Sequence, residues 1–317
     1  MEQVAKKKGR SAPGGTRSIG LLAALWKYKY FYLMLIPGFV YIILFHYLPM
    51  AGLAMAFQDF KLVKGIFGSA FNGLSNFQYL FKSDMFTRAF GNTAVISAYK
   101  ILFGFPIPIL LALFLNEIRV SSFKRTIQTV FYLPHFLSWI VMFSLVYNFV
   151  KELGPLNYLI RALGGKTVFF LSDTRYFRGL IVVSDIWKEM GWNAIIYLAA
   201  LAGVPQDLYE SATIDGASRM KCLWRISLPS IMPTVVIMFL LRIGSILNAG
   251  FEQIFSLYNA SVFSVGDIID TYVYRIGFKD ARFGVASAAG MFKSVIACIL
   301  VVSTNRLMGR FDQETLF

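Results

Sequence analysis

The sequence predicts an all-α membrane protein with six transmembrane helices, and three observations predict it. Hydrophobic residues make up 57% of the 317 and charged ones only 15%, with a mean hydropathy of +0.60, far from the balance of a soluble domain. Continuous apolar runs of about 20 residues, the length that crosses a bilayer core as a helix, recur along the chain. The roughly ten-residue alternation that marks barrel strands does not replace them.

Taken in order, residues 1–29 are basic and rich in Gly and Ser, which predicts a disordered tail. The six spans follow at 33–56, 94–116, 126–150, 180–203, 229–248 and 283–305. The first is too long for a signal-peptide core and lacks a small-residue cleavage site, so it is read as uncleaved. Lys6, Lys7, Lys8, Arg10, Arg17, Lys27 and Lys29 precede it against the single acid Glu2, which places the N-terminus in the cytoplasm. An even number of spans returns the C-terminus to the same side. The cytoplasmic connections are then 117–125 and 204–228. The outer loops, near 57–93, 151–179 and 249–282, are suited to short interfacial helices and turns. Pro106 and Pro108 interrupt span two, Pro134 span three and Pro233 the start of span five, each removing a backbone hydrogen bond and inviting a kink.

Several functions are disfavoured. The net charge of +14 is spread over loops and a tail without a nucleic-acid module. No GxxxxGK[ST] loop is present to cradle ATP phosphates, and neither a nucleophile elbow nor an HExxH helix occurs. No catalytic residue is therefore assigned. Cys222 and Cys298 make no disulfide framework, and no His/Cys cluster has metal-ligand spacing.

The connection at 204–228 holds the sharpest pattern. Pro205 suits a first helical turn, and Asp207 and Glu210 favour its positive end. Leu208, Tyr209 and Ala212 form one apolar stripe, and Gly216 is a natural stop. Met220, Leu223 and Trp224 then offer a second stripe before Pro229 opens span five. This predicts a helix, a glycine bend and a second helix against the cytoplasmic membrane face. An amphipathic helix resting on lipid headgroups is the plainer alternative.

The stretch ESATIDGASRMKCLWRISLP, residues 210–229, resembles the EAA loop of binding-protein-dependent ABC importer permeases. That loop has Glu-Ala-Ala, then Gly after three residues, then Ile-x-Leu-Pro after nine more. Glu210, Ser211, Ala212, Gly216, Ile226, Leu228 and Pro229 fall at those spacings, with Ser211 in place of the middle alanine. GLSNFQYLF, FYLPHFLSWIV, IWKEMGWNAIIYLAAL and IIDTYVYRIGF extend the resemblance to the carbohydrate branch, maltose-permease-like and of the lipoprotein-B/alginate oligosaccharide type, from about residue 33 onward.

The resemblance implies a type I importer permease fold over 30–317, sited in a bacterial plasma (inner) membrane. It implies that Glu210, Ser211, Ala212, Asp215, Gly216 and Ala217 couple to an ATPase. It also implies a second permease subunit, expected to be a different chain, two ATPase subunits that bind ATP and Mg, an extracytoplasmic solute-binding protein and an oligosaccharide substrate. This chain itself is expected to hold no cofactor.

Charges inside spans are costly and mark polar cavities or pairs. Lys100, near the outer end of span two, is expected to snorkel to water. At about 1.5 Å per residue, Lys188, Glu189 and Lys293 lie roughly 13–15 Å below the outer ends of their spans, and Asp185 and Arg242 about 9 Å. On span four, Asp185, Glu189 and Asn193 follow i, i+4, i+8, with Lys188 and Trp192 on the next row. Acids, amide and indole suit a sugar-facing surface. Equally open is a purely structural arrangement in which Asp185 pairs with Lys188, and Glu189 with Lys293 or Arg242. His135 is read as packing or hydrogen-bonded. The cationic surplus of Lys188, Arg242 and Lys293 over Asp185 and Glu189 suits an anionic sugar such as a uronate oligosaccharide, and a neutral plant oligosaccharide fits nearly as well. An ion-driven secondary transporter using those carboxylates is one competing function, against which stand the 210–229 pattern and the lack of an inverted repeat; an ABC permease for an amino acid or a metal, which would share that pattern but lack the carbohydrate-branch stretches, is another.

Overall fold

The computed structural model describes residues 26–309. The expected disordered tail lies outside the described residues up to residue 25, as do residues 310–317. Two units divide at residue 52. The first contains helix α1 (Lys29–Ile42), which runs through a π turn at Ile43–Tyr47 into Leu48–Met50. None of the residues in these three segments is buried. A helix apolar all round is suited to a lipid surround.

Proline explains that π turn. Pro49 lacks an N–H and its ring crowds the carbonyl four residues back, so the helix widens by one residue just before it. The same device recurs at Leu223–Ser227, where Pro229 follows at the same spacing.

The second unit opens with a small antiparallel hairpin, β1 (Gln58–Asp59) with β2 (Ala70–Phe71), and a short helix α2 (Ser75–Lys82). Ser83 then caps α3 (Asp84–Gly104) by accepting from the Phe86 N–H. Pro106 begins α4 (Pro106–Glu117), and the two make a single apolar run, Asp84–Glu117. Next come α5 (Ser121–Tyr132), α6 (Trp139–Val150) and α7 (Pro155–Ala162). The 29-residue α8 (Thr174–Ala202) follows, packed against α3, α4 and α5. Gly191 marks its closest approach to α5, because a β-carbon there would overlap the backbone carbonyl of Phe131.

After α8 come α9 (Gln206–Ile214) and α10 (Arg219–Cys222). The chain continues through α11 (Met232–Gly244), α12 (Phe251–Leu257), α13 (Ile269–Tyr274) and the long α14 (Phe283–Gly309). Buried side chains gather around α8 at two levels. Ile96, Phe177, Ile181 and Ile254 form one cluster, and Ile109, Leu113, Tyr197 and Ile231 another.

Three described helices are long and apolar enough to cross a bilayer: Lys29–Phe57, Asp84–Glu117 and Phe283–Leu307. Two bent pairs, Ser121–Phe136 with Trp139–Ala162 and Arg219–Ser230 with Met232–Gly244, raise the number to five if each is one span. The sixth expected span falls on α8, which is long enough but carries Asp185, Lys188 and Glu189 in its middle. The two spans in which Pro134 and Pro233 are expected to invite kinks are broken outright. Span three turns by 110° around residues 133–138, where Pro134 and the N-cap Ser138 end one helix and start the next. Span five turns by 60° near Ile231 and its helix ends at Gly244, short of the expected 248.

Candidate functional site

The segment between α8 and α11 forms a stiff elbow. Pro205 occupies the N-cap of α9 and Asp207 lies in its first turn. At the other end Gly216 adopts φ +73°. Its N–H donates to the Thr213 carbonyl at 3.0 Å, and the Ala217 N–H to the Ala212 carbonyl at 2.9 Å. Those two bonds form the double closure of a left-handed C-terminal cap. No atom lies within 4 Å of where a Gly216 β-carbon would sit, so the demand for glycine comes from backbone conformation and not from crowding. Ser218 then caps α10 by accepting from the Lys221 N–H.

Tyr209 ties the arms of the elbow together through a 2.8 Å contact between its hydroxyl and that of buried Ser227. Around this joint Glu210, Ser211, Asp215 and Gly216 are exposed, while Ala212 and Ala217 are half-buried. The expected first stripe is only partly realised. Tyr209 and Ala212 turn inward, but Leu208, one residue and about 100° round the helix from Tyr209, is exposed. In the second stripe Leu223 is buried, and Met220 and Trp224 are exposed, with the indole N–H donating to the Met220 sulfur at 3.2 Å. The elbow therefore presents Leu208, Ile214, Met220 and Trp224 beside the exposed acids Asp207, Glu210 and Asp215.

The second constellation centres on α8. Asp185, Glu189 and Asn193 line one cavity with Gly104, Phe105 and Arg242. The i, i+4, i+8 stripe thus faces an opening between α4, α8 and α11. Lys188, Trp192 and Lys293 do not line it. The Lys188 ammonium is buried and donates to the carbonyls of His135 at 2.6 Å and Leu137 at 2.8 Å, with Pro134 at 3.4 Å. The Pro134 carbonyl also accepts from the Leu137 N–H at 3.2 Å, but those of His135 and Leu137 lose helical partners at the break in span three, and the lysine satisfies them. Trp192 stacks on His135 at 4.3 Å and 3°. Lys293 pairs with Asp270 at 2.6 Å.

The pairings differ from those considered from sequence. Glu189 meets the His135 Nδ1 at 2.8 Å and Lys188 at 3.7 Å. His135 is thereby hydrogen-bonded and packed. Asp185 meets Lys100 at 2.7 Å and Arg242 at 3.6 Å. Lys100 does not snorkel: it is 4% exposed and donates also to the Gln253 side-chain carbonyl at 2.5 Å. Gln253 in turn donates to the Ile181 carbonyl and the Ser184 hydroxyl. A buried ammonium is retained only with close partners, and here α8 and α12 supply them. Gly250, at φ +96°, leaves room beside the ammonium that a β-carbon would take. Sequence reasoning missed Gln253, which falls in a segment read as an outer loop. A usable signal existed for Lys100, since depth counting puts it level with the opposite charge Asp185.

Residues 104–315 match the family model described as binding-protein-dependent transport system inner membrane component. The chain is 43% identical to protein LplB of Bacillus subtilis (strain 168), with 100% of both chains covered. It is also 43% identical to the polygalacturonan/rhamnogalacturonan transport system permease protein YteP of the same organism, covering 94% of this chain and 93% of that one. Among solved structures, a chain of a bacterial alginate ABC transporter in complex with an alginate pentasaccharide-bound periplasmic protein superposes with a TM-score of 0.85. It is 39% identical, covering 93% of this chain and 99% of that chain.

Proposed function

Because the chain belongs to the family of binding-protein-dependent transport system inner membrane components, we propose that it forms half of the translocation pathway of an ATP-driven importer of acidic oligosaccharides. It is a bacterial inner-membrane permease subunit of the type I importer fold, without an enzymatic activity of its own. The elbow at 206–217 is the observation that carries the proposed coupling. It is held rigid by the cap at Gly216 and the Tyr209–Ser227 contact, while Glu210, Ser211 and Asp215 stay exposed for a partner. A rigid, protruding helix transmits a push as displacement of α8 and α11, to which it is joined on either side.

In this reading a solute-binding protein delivers sugar to the outer face. Two ATPase subunits, which bind ATP and Mg, close and draw the elbow inward. The spans then rock around the cavity at Asp185, Glu189, Asn193 and Arg242. One chain offers one elbow, so a second permease chain, expected to be different, completes the pathway. The acidic-sugar assignment is supported by the names of the polygalacturonan/rhamnogalacturonan and alginate relatives and by Arg242 in the cavity lining. Uptake of a galacturonate trisaccharide into proteoliposomes, with subunits omitted one at a time, tests the proposal. The expected result is uptake that needs ATP and the ATPase subunits. Uptake driven by an ion gradient through the permease alone would sink it.

A further inference from the structure

The cavity between α4, α8 and α11 has three charged residues in its lining: Asp185, Glu189 and Arg242. Both acids already have partners outside that lining. Glu189 has one oxygen against His135 and the other against Lys188. Asp185 gives one oxygen to Lys100, whose side chain is only 5% exposed. That leaves Arg242. Its nearest terminal nitrogen stands 3.6 Å from the second Asp185 oxygen, beyond the 2.7–3.2 Å of a hydrogen bond. Among the described residues no hydrogen bond engages its guanidinium, and the side chain is 39% exposed.

The charge count follows from the buried partner. Asp185 with Arg242 alone would be neutral. Lys100 makes the trio net positive, and the most exposed of the three is the guanidinium. Arg242 sits in the last turn of α11, where the negative end of the helix favours a cation, so its place is held without a second acid. A guanidinium presents a planar fork of donors that matches a carboxylate in two parallel bonds. Asn193, on the same wall, supplies an amide suited to neighbouring hydroxyls.

We infer that Arg242 is the specificity-determining residue for anionic substrate: it takes the carboxylate of a uronate unit in its passage, and buried Lys100 keeps Asp185 from claiming it. The inference rests on the acidic-oligosaccharide reading above. Asp185 then serves as the resting partner to which Arg242 returns, so that the carboxylate is bound and also released. Passage requires both.

The test uses the assembled transporter in proteoliposomes with ATP enclosed, saturating binding protein and galacturonate trisaccharide as the probe, reading uptake and ATP hydrolysis together. Arg242→Gln should lower uptake at least tenfold while binding-protein-stimulated hydrolysis stays within threefold of wild type. Arg242→Lys should keep at least a third of wild-type uptake. Uptake by Arg242→Gln within threefold of wild type overturns the inference and leaves the acidic reading standing. If both variants lose hydrolysis along with uptake, the residue is structural and the inference falls. A wild-type transporter that moves a neutral arabinose trisaccharide but not the galacturonate one overturns the acidic reading itself, and the inference with it.

Discussion

Replacing Lys100 with Met puts a number on the buried charge cluster. The substitution preserves most of the apolar stem and deletes the ammonium that reaches Asp185 at 2.7 Å and Gln253 at 2.5 Å. Removing one partner of a buried ion pair costs about 3–5 kcal/mol, and stranding the Gln253 carbonyl adds about 1–3 kcal/mol. Arg242, 3.6 Å from the other Asp185 oxygen, can close on the exposed carboxylate and recover about 1.5–3 kcal/mol. The balance is a loss of about 2.5–5 kcal/mol, or a fall in unfolding midpoint of roughly 5–10 °C. Thermal unfolding of the detergent-purified protein measures it. The decisive comparison is the double variant Lys100→Met/Asp185→Asn, in which no buried charge is left unpaired. It should regain at least half of the loss, because the two sites share one interaction. Losses that simply add would show that Lys100 stabilises by packing and not by its charge.

Gly216→Val should add about 1–2 kcal/mol of backbone strain at φ +73°. It should leave the spans folded and lower uptake per ATP hydrolysed severalfold. Glu210→Lys, at an exposed site, should leave thermal stability unchanged and likewise uncouple hydrolysis from uptake. Gly191→Val places side-chain atoms on the Phe131 backbone carbonyl. Because the obstacle is the backbone of α5, it should cost at least about 1–3 kcal/mol, seen as a lower unfolding midpoint and reduced folded yield. Lys188→Met strands carbonyls at the break in span three and should cost about 2–4 kcal/mol. Proteolysis near residues 133–138 should then accelerate.

What could be read from sequence was what is encoded locally. The elbow is an example: Pro205, Gly216 and Pro229 act on their own backbone, so their punctuation survives folding unchanged. The stripe Asp185, Glu189 and Asn193 was also readable, since helical geometry alone puts those residues on one face. Partners from distant segments were not readable. Lys100 near the end of a span resembles any snorkelling lysine until α8 and α12 bring Asp185 and Gln253 to it. Lys188 looked like a partner for Asp185 one turn away. It instead serves the carbonyls of His135 and Leu137, left open where one helix ends and the next begins, because the break it caps lies in another span. The same proline was noted as a kink, but the 110° turn depends on Ser138 starting a new helix and on that lysine.

The central claim is that the exposed elbow is the seat of the ATPase, and site-directed cross-linking tests it most directly. Cys222 is buried and Cys298 exposed, so Cys298→Ser removes the reactive background. Ser211→Cys should then form a disulfide with a cysteine placed in the membrane-facing groove of the ATPase subunit. The same probe at Ser256, on α12, should not. An assembled, ATP-hydrolysing complex that cross-links through neither site, or through Ser256 alone, would contradict the account.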